Sequence, residues 1–137
     1  MIEWTNELVL GIEVIDNQHK DIYTNINKLI LAFEENNEQE LAYEMLEFVE
    51  EYVRKHFQTE EFYLKKYGYN EFEKHVGLHR NFSAQLQELK ASFKRAGITK
   101  RAALQMTEFL ISWWDNHILK IDSKYVEWLS EKIANEN

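Results

Sequence analysis

Cysteine is absent from the 137-residue chain. That excludes disulfides, thiolate zinc sites, cysteine-ligated iron–sulfur clusters and cysteine nucleophiles, and it fits a reducing compartment. Proline is absent as well and glycine occurs only 4 times, so the usual strand-and-turn punctuation is missing and long uninterrupted helices are favoured. Basic charge is scarce. Sixteen Lys and Arg against 24 Asp and Glu give a net charge of −8, the wrong sign for neutralising nucleic-acid phosphates, so no nucleic-acid partner is expected. Long apolar runs are missing too, and Met1 to Glu7 do not form a basic stretch followed by an apolar one; no membrane span is expected, and a cytoplasmic location is. The 45% apolar content over this length makes residues 1–137 a single domain with one core.

Apolar residues spaced three and four apart mark four helices, at about 16–36, 38–67, 71–96 and 100–133. The first stripe carries Ile15, His19, Ile22, Ile26, Leu29 and Phe33. The second carries Leu41, Met45, Val49, Tyr52, His56, Glu60 and Tyr63, the third Phe72, His75, His79, Phe82, Leu86, Leu89 and Phe93, and the fourth Ala103, Met106, Leu110, Trp113 and His117. Asp16 and Thr99 are candidate N-caps, and Asn37 with Glu40 and Asn70 with Glu73 resemble capping boxes. Gly68 and Gly97 stand where the second and third helices should stop. Connections this short force an all-α, up-down-up-down antiparallel four-helix bundle. Residues 1–15 form an N-terminal arm, with Trp4, Leu8, Leu10 and Ile12 expected to pack onto it.

All five histidines interrupt these stripes. A single histidine on a core face usually has a structural role, but five exceed what a bundle core can satisfy. Their depth is informative. Counted from the end holding the first and third interhelical turns, His19, His56, His79 and His117 lie about 18 to 19 residues along, which puts four imidazoles in one layer at ~1.5 Å per residue. Glu60, His75 and Asp122 lie about one turn deeper. His56 with Glu60 and His75 with His79 are four apart and share a face. Asp122 follows His117 by five, which in a regular helix turns it off that face; a π-bulge or break between them would restore it. Tyr125, Leu129, Lys132 and Ile133 are in phase with Asp122, as one inserted residue requires.

Seven converging ligands exceed one ion and suit two, with Glu60 and Asp122 able to bridge. Imidazole with carboxylate favours first-row metals such as iron and manganese over copper(I) or structural zinc. A zinc protease is excluded, because no Glu follows His75 in His75-Val76-Gly77-Leu78-His79.

His19, His56-Phe57-Gln58-Thr59-Glu60, His75-Val76-Gly77-Leu78-His79 and His117-Ile118-Leu119-Lys120-Ile121-Asp122 together resemble the hemerythrins, over essentially the whole chain and with no ligand missing. Trp4-Thr5 and the stretch Gly11 to His19 are similar to the N-terminal signature of the bacterial, single-domain branch. The resemblance implies a centre of two Fe ions, cycling between Fe2+ and Fe3+ and bridged by an oxo or hydroxo group, Glu60 and Asp122. His75, His79 and His117 would hold one iron; His19 and His56 would hold the other, which carries the open position. The implied function is reversible O2 binding by a non-enzymatic carrier, store or delivery protein, with NO or small anions such as azide as further ligands. Ile22, Phe57 and Trp113 are expected to wall the O2 pocket, with ordinary core packing the competing reading. Trp114, Tyr23 and Tyr63 read as ordinary core, and Glu34 to Glu38 and Glu50-Glu51 as solvated faces. Two alternatives stand: a di-iron oxidase or peroxide-consuming enzyme, and a sensor of O2, iron or NO. The expected oligomeric state is a monomer.

Overall fold

In a computed structural model that describes residues 1–35 and 39–136, the chain is helical, with no strand among the described residues. Four long helices, α1 (Glu13–Glu34), α2 (Gln39–Lys66), α3 (Phe72–Ala96) and α4 (Lys100–Asn116), are followed by a π-helical turn (His117–Ile121), a 3-10 turn (Asp122–Lys124) and a short α5 (Val126–Ala134). Contacts link α1 to α2, α2 to α3, α3 to α4 and α4 back to α1, so the four helices close into a bundle. No described helix is long and apolar enough to cross a membrane.

The ends of the helices follow local chemistry, with two departures from expectation. Thr99 accepts a hydrogen bond from the Ala102 amide (3.1 Å) and starts α4. Gly68, at φ +73°, lets the Tyr69 amide reach back to the Leu64 carbonyl (2.9 Å) and end α2. Asp16 is not the N-cap of α1, which begins at Glu13, where burial of Ile12 and Ile15 on one face starts the helix early. The Asp16 carboxylate instead accepts from the Leu10 and Gly11 amides (2.8 and 2.9 Å), tying the arm down. Asn70 and Glu73 form no capping box. Glu71 occupies the cap position without a side-chain bond, and the backbone turn from the Phe72 amide to the Tyr69 carbonyl (3.1 Å) supplies the start. The pair Asn37 and Glu40 depends on a residue outside the described ones.

The arm lies on α1. The Ile2 amide donates to the Asn27 side chain, whose own amide donates back to the Ile2 carbonyl, both at 3.0 Å. Ile2, Leu8 and Ile12 are buried, and Trp4 and Leu10 are partly buried against the core.

The bundle buries two apolar clusters. The larger includes Ile22, Ile26, Leu46, Val49, Val53, Phe57, Phe82, Leu110, Trp114 and Ile118. The smaller gathers Ile12, Ile15, Leu64, Tyr125 and Leu129. On three segments the boundary between them falls on a polar residue: His19 lies between Ile15 and Ile22, Glu60 between Phe57 and Leu64, and Asp122 between Ile118 and Tyr125. The polar groups therefore form a slab closed on both sides by hydrocarbon.

Candidate metal centre

His19, His56, Glu60, His75, His79, His117 and Asp122 are all buried, none more than 3% exposed. They divide into two groups whose ligand atoms lie within 4.8 Å of one another: Glu60 with His75, His79 and His117, and Asp122 with His19, His56 and Glu60. Each group draws on both of the layers expected from depth, so the division runs across the bundle rather than along it.

The imidazoles point Nε2 inward. His19 Nε2 and His56 Nε2 are 2.9 Å apart. Glu60 turns Oε1 toward His75 and, at 3.0 Å, toward His79 Nε2, while Oε2 lies 3.2 Å from His56 Nε2. Asp122 behaves in the same way: Oδ1 is 3.2 Å from His75 Nε2 and 3.1 Å from His117 Nε2, and Oδ2 is 3.2 Å from His19 Nε2. Both carboxylates thus give one oxygen to the three-histidine group and the other to the two-histidine group.

Asp122 reaches this position through the π-helical turn. Its amide bonds back to the His117 carbonyl five residues earlier, which absorbs the extra residue and aligns Asp122 with His117.

The outer sides of the rings are held unequally. His79 Nδ1 donates to Glu61 Oε2 (2.7 Å). His56 Nδ1 donates to Gln18 Oε1 (3.0 Å), and Gln18 is steadied by its own bond to Thr59 Oγ1 (3.1 Å). Among the described residues His19 Nδ1 has no hydrogen-bond partner. Tyr125 donates its hydroxyl to Glu60 Oε2 (2.8 Å), and burial with Glu60 beside it keeps that phenol protonated, well above its ordinary pKa. Glu61, Gln18 and Tyr125 were not singled out as site residues from the sequence. The available signal is position: Gln18 and Glu61 each adjoin a residue of the centre, and Tyr125 falls one turn after Asp122.

Of the expected pocket residues, Ile22 is fully buried in the larger cluster. Phe57 stacks on His79 at 3.7 Å and Trp113 on His117 at 4.3 Å, both on the three-histidine side. The indole closest to the two-histidine group belongs to Trp114, 6.2 Å from His19 and 6.0 Å from His56, with Trp4 6.5 Å from His19 on the arm side. Trp113 is four residues before His117 and stacks over it; Trp114, one residue further round the helix, reaches the neighbouring group.

Charge is concentrated here. Burial alone would raise the two carboxylates, but His56, His75 and His79 hold Glu60 well below its ordinary value, and His117 and His19 do the same for Asp122. Burial alone would lower His75, but Asp122 and Glu60 raise it to about 10; Glu60 and Glu61 raise His79 likewise. His56 is lowered by burial and by His19.

These shifts predict the stability of the metal-free protein. His75 and His79 contribute fully below the ordinary imidazole value of 6.5; the His75 contribution is lost as pH rises toward about 10, and that of His79 as pH rises through its own raised value. Glu60 and Asp122 contribute fully above their ordinary values of 4.5 and 3.8 and lose that contribution as pH falls through their lower folded values. His56 acts oppositely to His75, removing stability as pH falls below 6.5. Metal-free protein should therefore have its highest urea midpoint in mildly acidic buffer and a lower one near pH ~9. Metal-loaded protein should lose this alkaline decline, since a bound ion replaces the protons. Equal midpoints for the metal-free protein in the two buffers would contradict the assignment.

The residues fit metal ions better than they fit each other. Among the described residues, His79 Nε2, His117 Nε2 and both Asp122 oxygens are buried without a properly directed hydrogen bond, an arrangement that costs free energy unless something fills the centre. Five imidazoles, two carboxylates and no sulfur suit iron or manganese.

Residues 10–129 match the hemerythrin HHE cation binding domain, and the chain belongs to the hemerythrin family. It is similar to the bacteriohemerythrin of Pseudomonas aeruginosa (strain LESB58), with 33% identity over 124 residues covering 90% of this chain and 78% of that one. To the bacteriohemerythrin of Methylococcus capsulatus (strain ATCC 33009 / NCIMB 11132 / Bath) it is 31% identical over 131 residues, covering 95% and 98%. A crystal structure of wild-type hemerythrin superposes with a TM-score of 0.85 at 29% identity, covering 95% of this chain and 98% of that one.

Proposed function

We propose that this protein binds O2 reversibly at a non-haem di-iron centre and acts as a carrier, store or delivery protein rather than an enzyme. The observation that carries the reading is the split of Glu60 and Asp122, each with one oxygen on either histidine group. In this reading His75, His79 and His117 would hold one iron and His19 and His56 the other, with Glu60 and Asp122 able to serve both. When bound, the two irons would supply the redox chemistry that reversible O2 binding requires.

The chain's own residues account for reversibility. Only two of the seven donors are anionic, so the residues leave two ferrous ions with net positive charge in a low-dielectric core, which disfavours higher oxidation states. Bundles built on Glu and Glu-x-x-His pairs supply more carboxylates and suit O2 activation instead. Phe57, Trp113 and Trp114 surround the rings with hydrocarbon and exclude water. Tyr125 holds Glu60 in its bridging orientation. We read the arm and bundle as one functional domain, since the arm brings Trp4 against His19 and is itself tied to Asp16 and Asn27.

The test is metal content with an optical spectrum recorded without air, in air, and after O2 is removed. Two irons per chain and a colour change that reverses are expected. Steady consumption of a reductant with O2 would favour an oxidase, and a chain that folds without taking up metal would overturn the reading.

A further inference from the structure

The outer sides of the His79, His56 and His19 rings differ between the two histidine groups. On the three-histidine side, His79 Nδ1 donates to a carboxylate, Glu61 Oε2, at 2.7 Å. On the two-histidine side, His56 Nδ1 donates to the neutral amide of Gln18 at 3.0 Å, and His19 Nδ1 has no hydrogen-bond partner among the described residues. Glu61 stands on α2 one residue after Glu60, its side chain 30% exposed. It lines a cleft between α2 and α3 with Phe57, whose ring stacks on His79.

A carboxylate accepting the Nδ1 proton fixes the ring as the tautomer whose Nε2 lone pair faces the centre, and raises the basicity of that lone pair more than an amide does. We infer that Glu61 is a positioning residue that makes the three-histidine group the tighter of the two metal positions, so that the chain fills in order, that position first and the Gln18-supported position second. The inference rests on the di-iron reading and adds an asymmetry that the ligand set alone does not contain, since a histidine count says nothing of what stands behind each ring.

The test uses the full chain stripped of metal and titrated with Zn2+ against a competing chromophoric chelator. Wild-type protein should bind two ions in two resolved steps. Glu61→Gln, an isosteric change at a partly exposed position, should weaken the first step about 10- to 100-fold and leave the second unchanged. Glu61→Asp should retain part of the difference, and Gln18→Ala should weaken the second step only. Nitrogen-15 spectra of the histidine rings should place the His79 proton on Nδ1 in loaded wild-type protein and show a weaker Nδ1 hydrogen bond in Glu61→Gln. The inference is overturned if Glu61→Gln changes the first step by less than about twofold, or if it lowers both steps equally with a loss of thermal stability, as a general structural role would. Wild-type protein that binds no metal would instead overturn the di-iron reading on which it stands.

Discussion

Glu60→Ala should leave the protein unable to hold two irons, with the content falling from two per chain to one or none and the reversible colour change lost. Glu60 faces both groups at once, with His75 and His79 on Oε1 and His56 on Oε2. Its removal takes one candidate donor from each of the two groups, whereas loss of any single histidine takes a donor from only one. A second effect should appear without metal. His75, which burial would lower and Asp122 and Glu60 together raise to about 10, loses one of the two carboxylates that favour its charged form in the buried slab. Breaking a buried ion pair from one side costs about 3–5 kcal/mol, and Tyr125 also loses the acceptor for its hydroxyl. Urea unfolding of the metal-free variant reads the second effect and elemental analysis the first. If Glu60→Ala retains two irons per chain, the bridging assignment is wrong.

Trp114→Ala should be the most destabilising single change in the apolar core. The Trp114 side chain is fully buried, and its ring packs on Phe57, Phe82 and Trp113 as well as on the rings of His19 and His56. Truncation of a buried tryptophan costs about 3–5 kcal/mol through lost transfer energy and the cavity left behind, which lowers the melting temperature by on the order of ten degrees. The cavity would open beside the two-histidine group. Water admitted there should shorten the lifetime of the O2-bound form, so the colour of the loaded variant in air should fade faster than that of wild type. Trp113→Ala, on the three-histidine side, should fade at close to the wild-type rate; equal fading of the two variants would show that the sides are not distinguished by their walls.

The placement of these two indoles marks the boundary of what helical periodicity can resolve. Depth along a helix follows from residue counting, because each residue advances by a constant ~1.5 Å. His19, His56, His79 and His117 could therefore be set at one level from numbering alone, with Glu60, His75 and Asp122 a turn away. The π-helical turn was legible for the same reason: the apolar series after Asp122 is displaced by one residue from the series before His117. Rotation about the axis is harder. Adjacent residues differ by about 100°, so a small error decides whether Trp113 or Trp114 meets the two-histidine group. Helix starts depart from their side-chain signals where a backbone turn, at Phe72, or burial of Ile12 and Ile15 replaces a side-chain cap.

The amino-acid sequence by itself determined the helical class, the donor chemistry of imidazole and carboxylate without sulfur, and the depth at which seven candidate donors meet, because composition and one-dimensional spacing carry that information. Only the tertiary structure decided how the donors divide into a three-histidine and a two-histidine group, which oxygen of Glu60 and Asp122 faces which, and that Glu61, Gln18 and Tyr125 stand behind them. The physical reason is that these relations depend on how far each helix is rotated toward its neighbours, and that rotation is set by packing among side chains far apart in the chain.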